Sequence, residues 1–180
     1  MDYNDIYDLY DLLLEQLRDL YDGEQQQLQA LMKLDGIADS YDLKEVIEFH
    51  YKETQKQIER LESIFTTLGE DPNGESCDGV KGLIKETFKL AKRCRNPEVR
   101  DAGIITSIQH INHYEMAGYG TALAYTKLLN RHDIGELLLE NLREEKTRDS
   151  ELSEIAEKEI NPDARWSIIV TKAHRGEIKA

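Results

Sequence analysis

The chain has 180 residues, 36 of them acidic against 23 basic, for a net charge of −13. That length carries one domain with a real apolar core, and the charge argues against nucleic-acid binding through a general basic surface. No apolar run of about 18 residues is present, which argues against a helical membrane span. The acidic start, Met1 to Tyr10, lacks the basic region of a secretory signal, so the cytoplasm is the expected compartment.

Few prolines and patterned apolar residues predict an all-α chain. Asn4 or Asp5 is placed to cap a first long helix that runs to about Leu34, with Gly36 as its stop. Gly23 interrupts that helix, and close approach by a neighbouring element is expected there. Asp39 or Ser40 caps a second helix ending near Leu68 at Gly69. The joint between the two is short, so they lie antiparallel. Residues 69–79 form the clearest loop in the chain. A short basic amphipathic helix follows, about Val80 to Arg93. Cys77 and Cys94 flank it, and two free thiols are expected. Asn96-Pro97 is a strong helix start. It opens a third long helix reaching about Asn130, and Asp133 with Glu136 resembles a capping box for a fourth that ends before Pro162. The resulting order is up-down, long crossover, up-down, the ferritin-like four-helix bundle. Residues 1–161 make that bundle and 162–180 a tail, with an apolar run from Trp166 to Val170.

Each long helix carries one glutamate on its apolar stripe of 3/4 spacing, where a Leu or Ile is expected: Glu24, Glu53, Glu115 and Glu145. The separation of the first two nearly equals that of the last two, and each pair straddles its turn symmetrically. At about 1.5 Å per residue, all four are expected at one level of the bundle. Gln57 follows Glu53 by one helical turn and Asp149 follows Glu145. His50 lies one turn before Glu53, as a ligand, a partner of one, or a core histidine held by other groups. His113 points away from Glu115. Buried like charges need neutralising, and oxygen donors of this kind suit manganese, iron(II) or magnesium. The competing reading is a metal-free polar network with Tyr21, Gln27, Gln57 and Tyr119 as partners.

Several stretches resemble the YciE/YciF family of ferritin-like bacterial stress proteins. They are His50-Tyr-Lys-Glu-Thr54 continuing to Leu61, Asn96 to Ala102, His113-Tyr-Glu115 with Tyr119-Gly120, and Glu144-Glu-Lys146 with Asp149. The resemblance spans residues 5–161. It implies a dimeric ferritin-like bundle with a dinuclear metal site on Glu24, Glu53, Glu115 and Glu145. On the residues themselves, Asp149 and Gln57 (or His50) would complete the shell of an iron or manganese centre. Ferritins proper carry Glu-x-x-His, which would place histidines at 56 and 148, where this chain has Lys56 and Arg148. Two function classes follow. One is a metal-binding stress protein reacting with oxygen or peroxide. The other is a non-enzymatic helical protein that works through dimer or partner contacts. An iron-storing shell is a weaker third.

Overall fold

The computed structural model describes residues 5–166. Five helices follow one another: α1 (Leu9–Asp35), α2 (Tyr41–Leu68), α3 (Asp78–Arg93), α4 (Pro97–Leu128) and α5 (His132–Ile155). No strand occurs among the described residues.

Local chemistry sets most of the boundaries. The start of α1 is Asp8, whose Oδ1 accepts the N–H groups of Tyr10 (2.8 Å) and Asp11 (3.0 Å). Asp5 lies too early and accepts the Tyr7 hydroxyl instead, and Asn4 lies outside the described residues. Ser40 caps α2 through its Oγ. Asp101 of α4, itself buried, accepts the N–H groups of Asp39 and Ser40, so the α1–α2 turn is tied to a third helix. Gly69 ends α2 with φ +72°, a left-handed conformation that glycine adopts without strain. Asn96 and Pro97 open α4 as expected.

Two expected boundaries differ. Asp133 does not form a capping box: its carboxylate is held by Arg131 at 2.8 Å, and α5 begins one residue earlier without a side-chain cap. The last helix also passes Pro162. After α5 the backbone widens into a π-helical turn, Ala156–Ile160, closed by the Asn161 N–H on the Ala156 carbonyl, and residues 161–166 continue helical. Proline cannot donate to the carbonyl four residues back and its ring crowds it, and a locally wider turn relieves both. The helix therefore crosses the expected boundary between bundle and tail. The remainder of the expected tail lies outside the described residues.

Four long helices form a ring in which α1 neighbours α2 and α4, and α5 neighbours α2 and α4. Gly118 meets Leu20, Asn112 meets Gln27, and Asp101 meets the turn after α1, so α1 and α4 run antiparallel. With α1 also antiparallel to α2, helices α2 and α4 are parallel, and the chain must travel the bundle's length between them. Helix α3 makes that journey against α4 and α1. It passes over Gly23, where an added Cβ would lie 3.3 Å from Val80, which accounts for glycine inside α1. Cys77 and Cys94 sit at opposite ends of α3 and are both free thiols.

The interior is layered. One apolar cluster gathers Leu13, Leu17, Leu61, Phe65 and Leu138, among others, at one end. A second gathers Leu34, Leu43, Ile47, Ile104 and Leu152 at the other. Between them all four helices turn polar side chains inward.

Candidate metal centre

The polar layer is built from short repeats on each helix. Helix α1 contributes Glu24 and Gln27, α2 His50, Thr54 and Gln57, α4 Asn112, Glu115 and Tyr119, and α5 Asn141, Glu145 and Arg148. Within each helix they are three or four residues apart, so each set faces one way. None exceeds 2% exposure.

Three carboxylates meet here. One ligand oxygen each from Glu24, Glu115 and Glu145 lies within 4.8 Å of the others. The Tyr119 hydroxyl donates to Glu24 Oε1 at 2.5 Å. The Gln57 amide donates to Glu145 Oε1 at 2.8 Å. Glu24 Oε2, Glu145 Oε2 and both oxygens of Glu115 accept no hydrogen bond. Burial, reinforced by the neighbouring charges, pushes the Glu24 and Glu115 carboxyls well above the ordinary carboxylate range. Glu145 is pushed up to about 8, mainly by burial, against the pull of the Gln57 hydrogen bond.

His50 joins the layer. Its Nε2 is 3.3 Å from the Gln27 amide nitrogen and 4.0 Å from Glu145 Oε1. Burial, and then the charge of Arg148, drives its pKa down to about 3. The ring is neutral at ordinary pH, and a neutral imidazole keeps a lone pair for a cation or a donor.

The structure does not bring Glu53 or Asp149 into the cluster. Glu53 is half-buried, and Arg148 Nη2 holds it at 2.7 Å. Thr54 takes the interior position of that turn. Both 50–53–57 and 50–54–57 satisfy helical spacing, and the guanidinium supplied by α5 decides between them. Asp149 faces the outer side of α4, accepting from Gln109 Nε2 at 3.1 Å with His113 Nε2 at 3.3 Å. Four residues are about 400° of helix, so Asp149 is rotated from Glu145 toward α4, while Arg148, three residues on, is rotated toward α2. Tyr21 also lies outside the layer, with its hydroxyl on Glu62.

Sequence reading passed over Asn112, Asn141, Thr54 and Arg148 as members of this layer. The signal was present: Asn112 precedes Glu115 by three residues, Asn141 precedes Glu145 by four, and polar residues at 3/4 spacing around an interior glutamate mark its face. Arg148 was visible only as a departure from the ferritin histidine. The residue is 2% exposed, and its guanidinium bridges Glu53 and Glu151 and stacks over the Phe49 ring at 4.5 Å.

Known proteins share this architecture. A family described only as a domain of unknown function, DUF892, matches residues 8–165. The chain belongs to that family. Among similar proteins, protein YciF of Escherichia coli K12 is 32% identical over 155 residues, covering 86% of this chain and 93% of YciF. The solved structure of that E. coli stress protein superposes with a TM-score of 0.83 at 31% identity, covering 87% of this chain and 99% of the other. YcfI of Rhodopseudomonas palustris superposes at 0.81 with 43% identity, covering 83% and 96%. The expected all-α bundle and the expected family are therefore both found. No helix among the described residues is long and apolar enough to cross a membrane.

The donor set of this DUF892 chain suits a hard divalent cation. Three carboxylates offer four unpartnered oxygens, and Gln27 Oε1 and Gln57 Oε1 are likewise buried without a partner. Oxygen-rich sites with at most one imidazole favour manganese, iron(II) or magnesium over zinc or copper.

Proposed function

We propose that this chain is a metal-binding stress protein that carries a dinuclear iron or manganese centre in the bundle core and reacts with oxygen or peroxide. It works as a cytoplasmic homodimer on this reading. One observation carries the proposal: three fully buried glutamates converge with four oxygens that no protein group satisfies. Removing even one carboxylate from water without a partner is costly, and three at one level repel one another. Divalent cations remove both costs.

Glu24, Glu115 and Glu145 would hold the cations, with His50 and Gln57 completing the set. Glu115 is the carboxylate with both oxygens free, so it is best suited to be shared. Glu53 is a further carboxylate beside the layer, and its charge already reaches Glu145. Two divalent cations carry four positive charges, which three glutamates do not balance, so a second ion would draw Glu53 away from Arg148. Asp149 serves from outside, orienting Gln109 and His113 on α4.

Such a centre, when bound, supplies electrons for the reduction of oxygen or peroxide. The protein's part is confinement and orientation. The two apolar clusters keep bulk water from either end of the layer. Tyr119 and Gln57 each pin one oxygen of a carboxylate and leave the other for the ion.

The test is elemental analysis after anaerobic loading with Fe(II) or Mn(II) and desalting. About two ions per chain are expected, and the Glu115→Gln/Glu145→Gln variant should retain none. Stoichiometry unchanged in that variant, or a wild type that retains no metal while folded, refutes the site. The second result favours a structural protein whose glutamates form a hydrogen-bonded network. YcfI is described as a candidate structural protein, and the Tyr119–Glu24 and Gln57–Glu145 bonds would be the core of that network.

A further inference from the structure

One carboxylate of the centre is connected to the protein surface by an unbroken chain of hydrogen bonds whose direction is fixed at each link. Arg60, on α2, is 15% exposed at its side chain. Its Nη1 donates to Asn141 Oδ1 at 2.9 Å, and its two terminal nitrogens hold Glu144 at 2.7 and 2.8 Å and Glu140 at 2.6 Å. Asn141 Nδ2 donates to the Tyr119 hydroxyl at 3.0 Å and to the Gln57 carbonyl at 3.4 Å. Tyr119 donates to Glu24 Oε1.

The chemistry leaves no freedom in this order. Arginine has donors and no acceptor, so Asn141 must turn its oxygen to Arg60. A flipped amide would face donor to donor. The amide nitrogen therefore points at Tyr119, whose oxygen accepts, and the phenolic hydrogen is left for Glu24. Asn141 and Tyr119 are both fully buried, so neither can exchange these partners for water. Glutamates 140 and 144 hold the guanidinium from outside.

We infer that Arg60 is a positioning residue for the metal centre, acting through Asn141 and Tyr119 to fix Glu24 so that its Oε2 faces the cation. This rests on the metal-binding reading above. Arg60 is also close enough for its positive charge to be felt at Glu24. The two influences have opposite signs. By charge alone, removing Arg60 would make the site more attractive to a cation. By the relay, removing Arg60 frees the Asn141 amide, loosens Tyr119 and costs cation affinity.

The experiment is Mn(II) binding by calorimetry to metal-free protein, for wild type, Arg60→Gln, Tyr119→Phe and the double variant, with the spectrum of bound Mn(II) read by electron paramagnetic resonance. A hydrogen bond to a charged acceptor is among the strong ones. Tyr119→Phe should weaken Mn(II) binding about tenfold and Arg60→Gln about threefold. The double variant should bind no more weakly than Tyr119→Phe alone, because the relay is already cut and only the charge effect of Arg60 is left to remove. The Mn(II) spectrum of Arg60→Gln should shift toward that of Tyr119→Phe. Asn141→Leu breaks the chain one link further in while keeping the charge, and should also weaken binding about threefold, which covers an Arg60 variant that fails to fold. Affinity in Arg60→Gln that is unchanged or higher overturns the inference, as do losses that simply add in the double variant. A folded wild type that binds no Mn(II) overturns the metal reading itself, an outcome separate from failure of the relay.

Discussion

Replacing Glu115 by Gln should stabilise the metal-free protein at neutral pH and abolish its response to metal. Glu115 is fully buried, neither oxygen has a donor, and Glu24 and Glu145 are its close neighbours. Burial and those charges raise its carboxyl well above the ordinary 4.5. A group whose folded pKa is raised contributes stability that is complete below the unfolded pKa and is lost as pH rises through the folded one. While the folded carboxyl holds its proton and the unfolded one does not, the loss is about 1.4 kcal/mol per pH unit. His50 runs the other way, because its pKa is lowered to about 3. Its contribution is complete above 6.5 and lost as pH falls, so the window from pH 6.5 to 8 isolates the carboxyls. Urea unfolding in chelator across that window should show wild-type stability falling as pH rises. The amide introduced by Glu115→Gln mimics the protonated acid at every pH, so the variant's slope should be shallower, by at most about 1.4 kcal/mol per pH unit. At about pH 7.5 it should be the more stable protein. With Mn(II) at about 100 times its Kd, wild type should gain about 2.7 kcal/mol and the variant nothing. Wild-type stability that is flat or rises over the window, or a variant less stable than wild type near neutral pH, would refute the reasoning.

Other substitutions probe the shell around this layer. Glu53→Gln leaves buried Arg148 short of one carboxylate and should cost about 2 kcal/mol in urea unfolding, largely independent of salt. Breaking the exposed Lys52–Glu48 pair should cost about 0.5 kcal/mol at most, and equal costs would argue that Arg148 is solvated. Gly79→Ala would place a Cβ 2.6 Å from the rigid Tyr114 ring, so α3 must shift, at about 1–3 kcal/mol by thermal or urea unfolding. In the native protein a thiol reagent should modify Cys94 first. Cys77 has 0% exposure and burial pushes its thiol up to about 11, so it should react only on unfolding or in Gly79→Ala, where α3, with Cys77 at its start, shifts away from Tyr114. Rapid modification of both thiols in the native wild type would contradict this packing.

Sequence alone determined whatever depends on local spacing and local caps. The 3/4 apolar stripes, Ser40, Gly69 and Asn96-Pro97 specify where helices run, because each acts on backbone within a turn or two of itself. Short joints and one long connection then leave little choice but the up-down, crossover, up-down order. The glutamates at 24, 115 and 145 were legible for the same reason: a carboxylate where leucine belongs is visible without coordinates. Only the tertiary structure decided which neighbour each polar side chain meets. Glu53 and Thr54 fit the α2 stripe equally well, and Arg148 from another helix drew Glu53 outward. Asp149 shares a turn with Glu145, yet a difference of about 40° in helical phase delivers it to Gln109 and His113. The relay from Arg60 to Glu24 joins residues from four helices, α2, α5, α4 and α1, in that order. Helical periodicity fixes a side chain's direction about its own axis, whereas hydrogen-bond partners are set by how the four axes are rotated and shifted against one another, and no single stretch of chain contains that information.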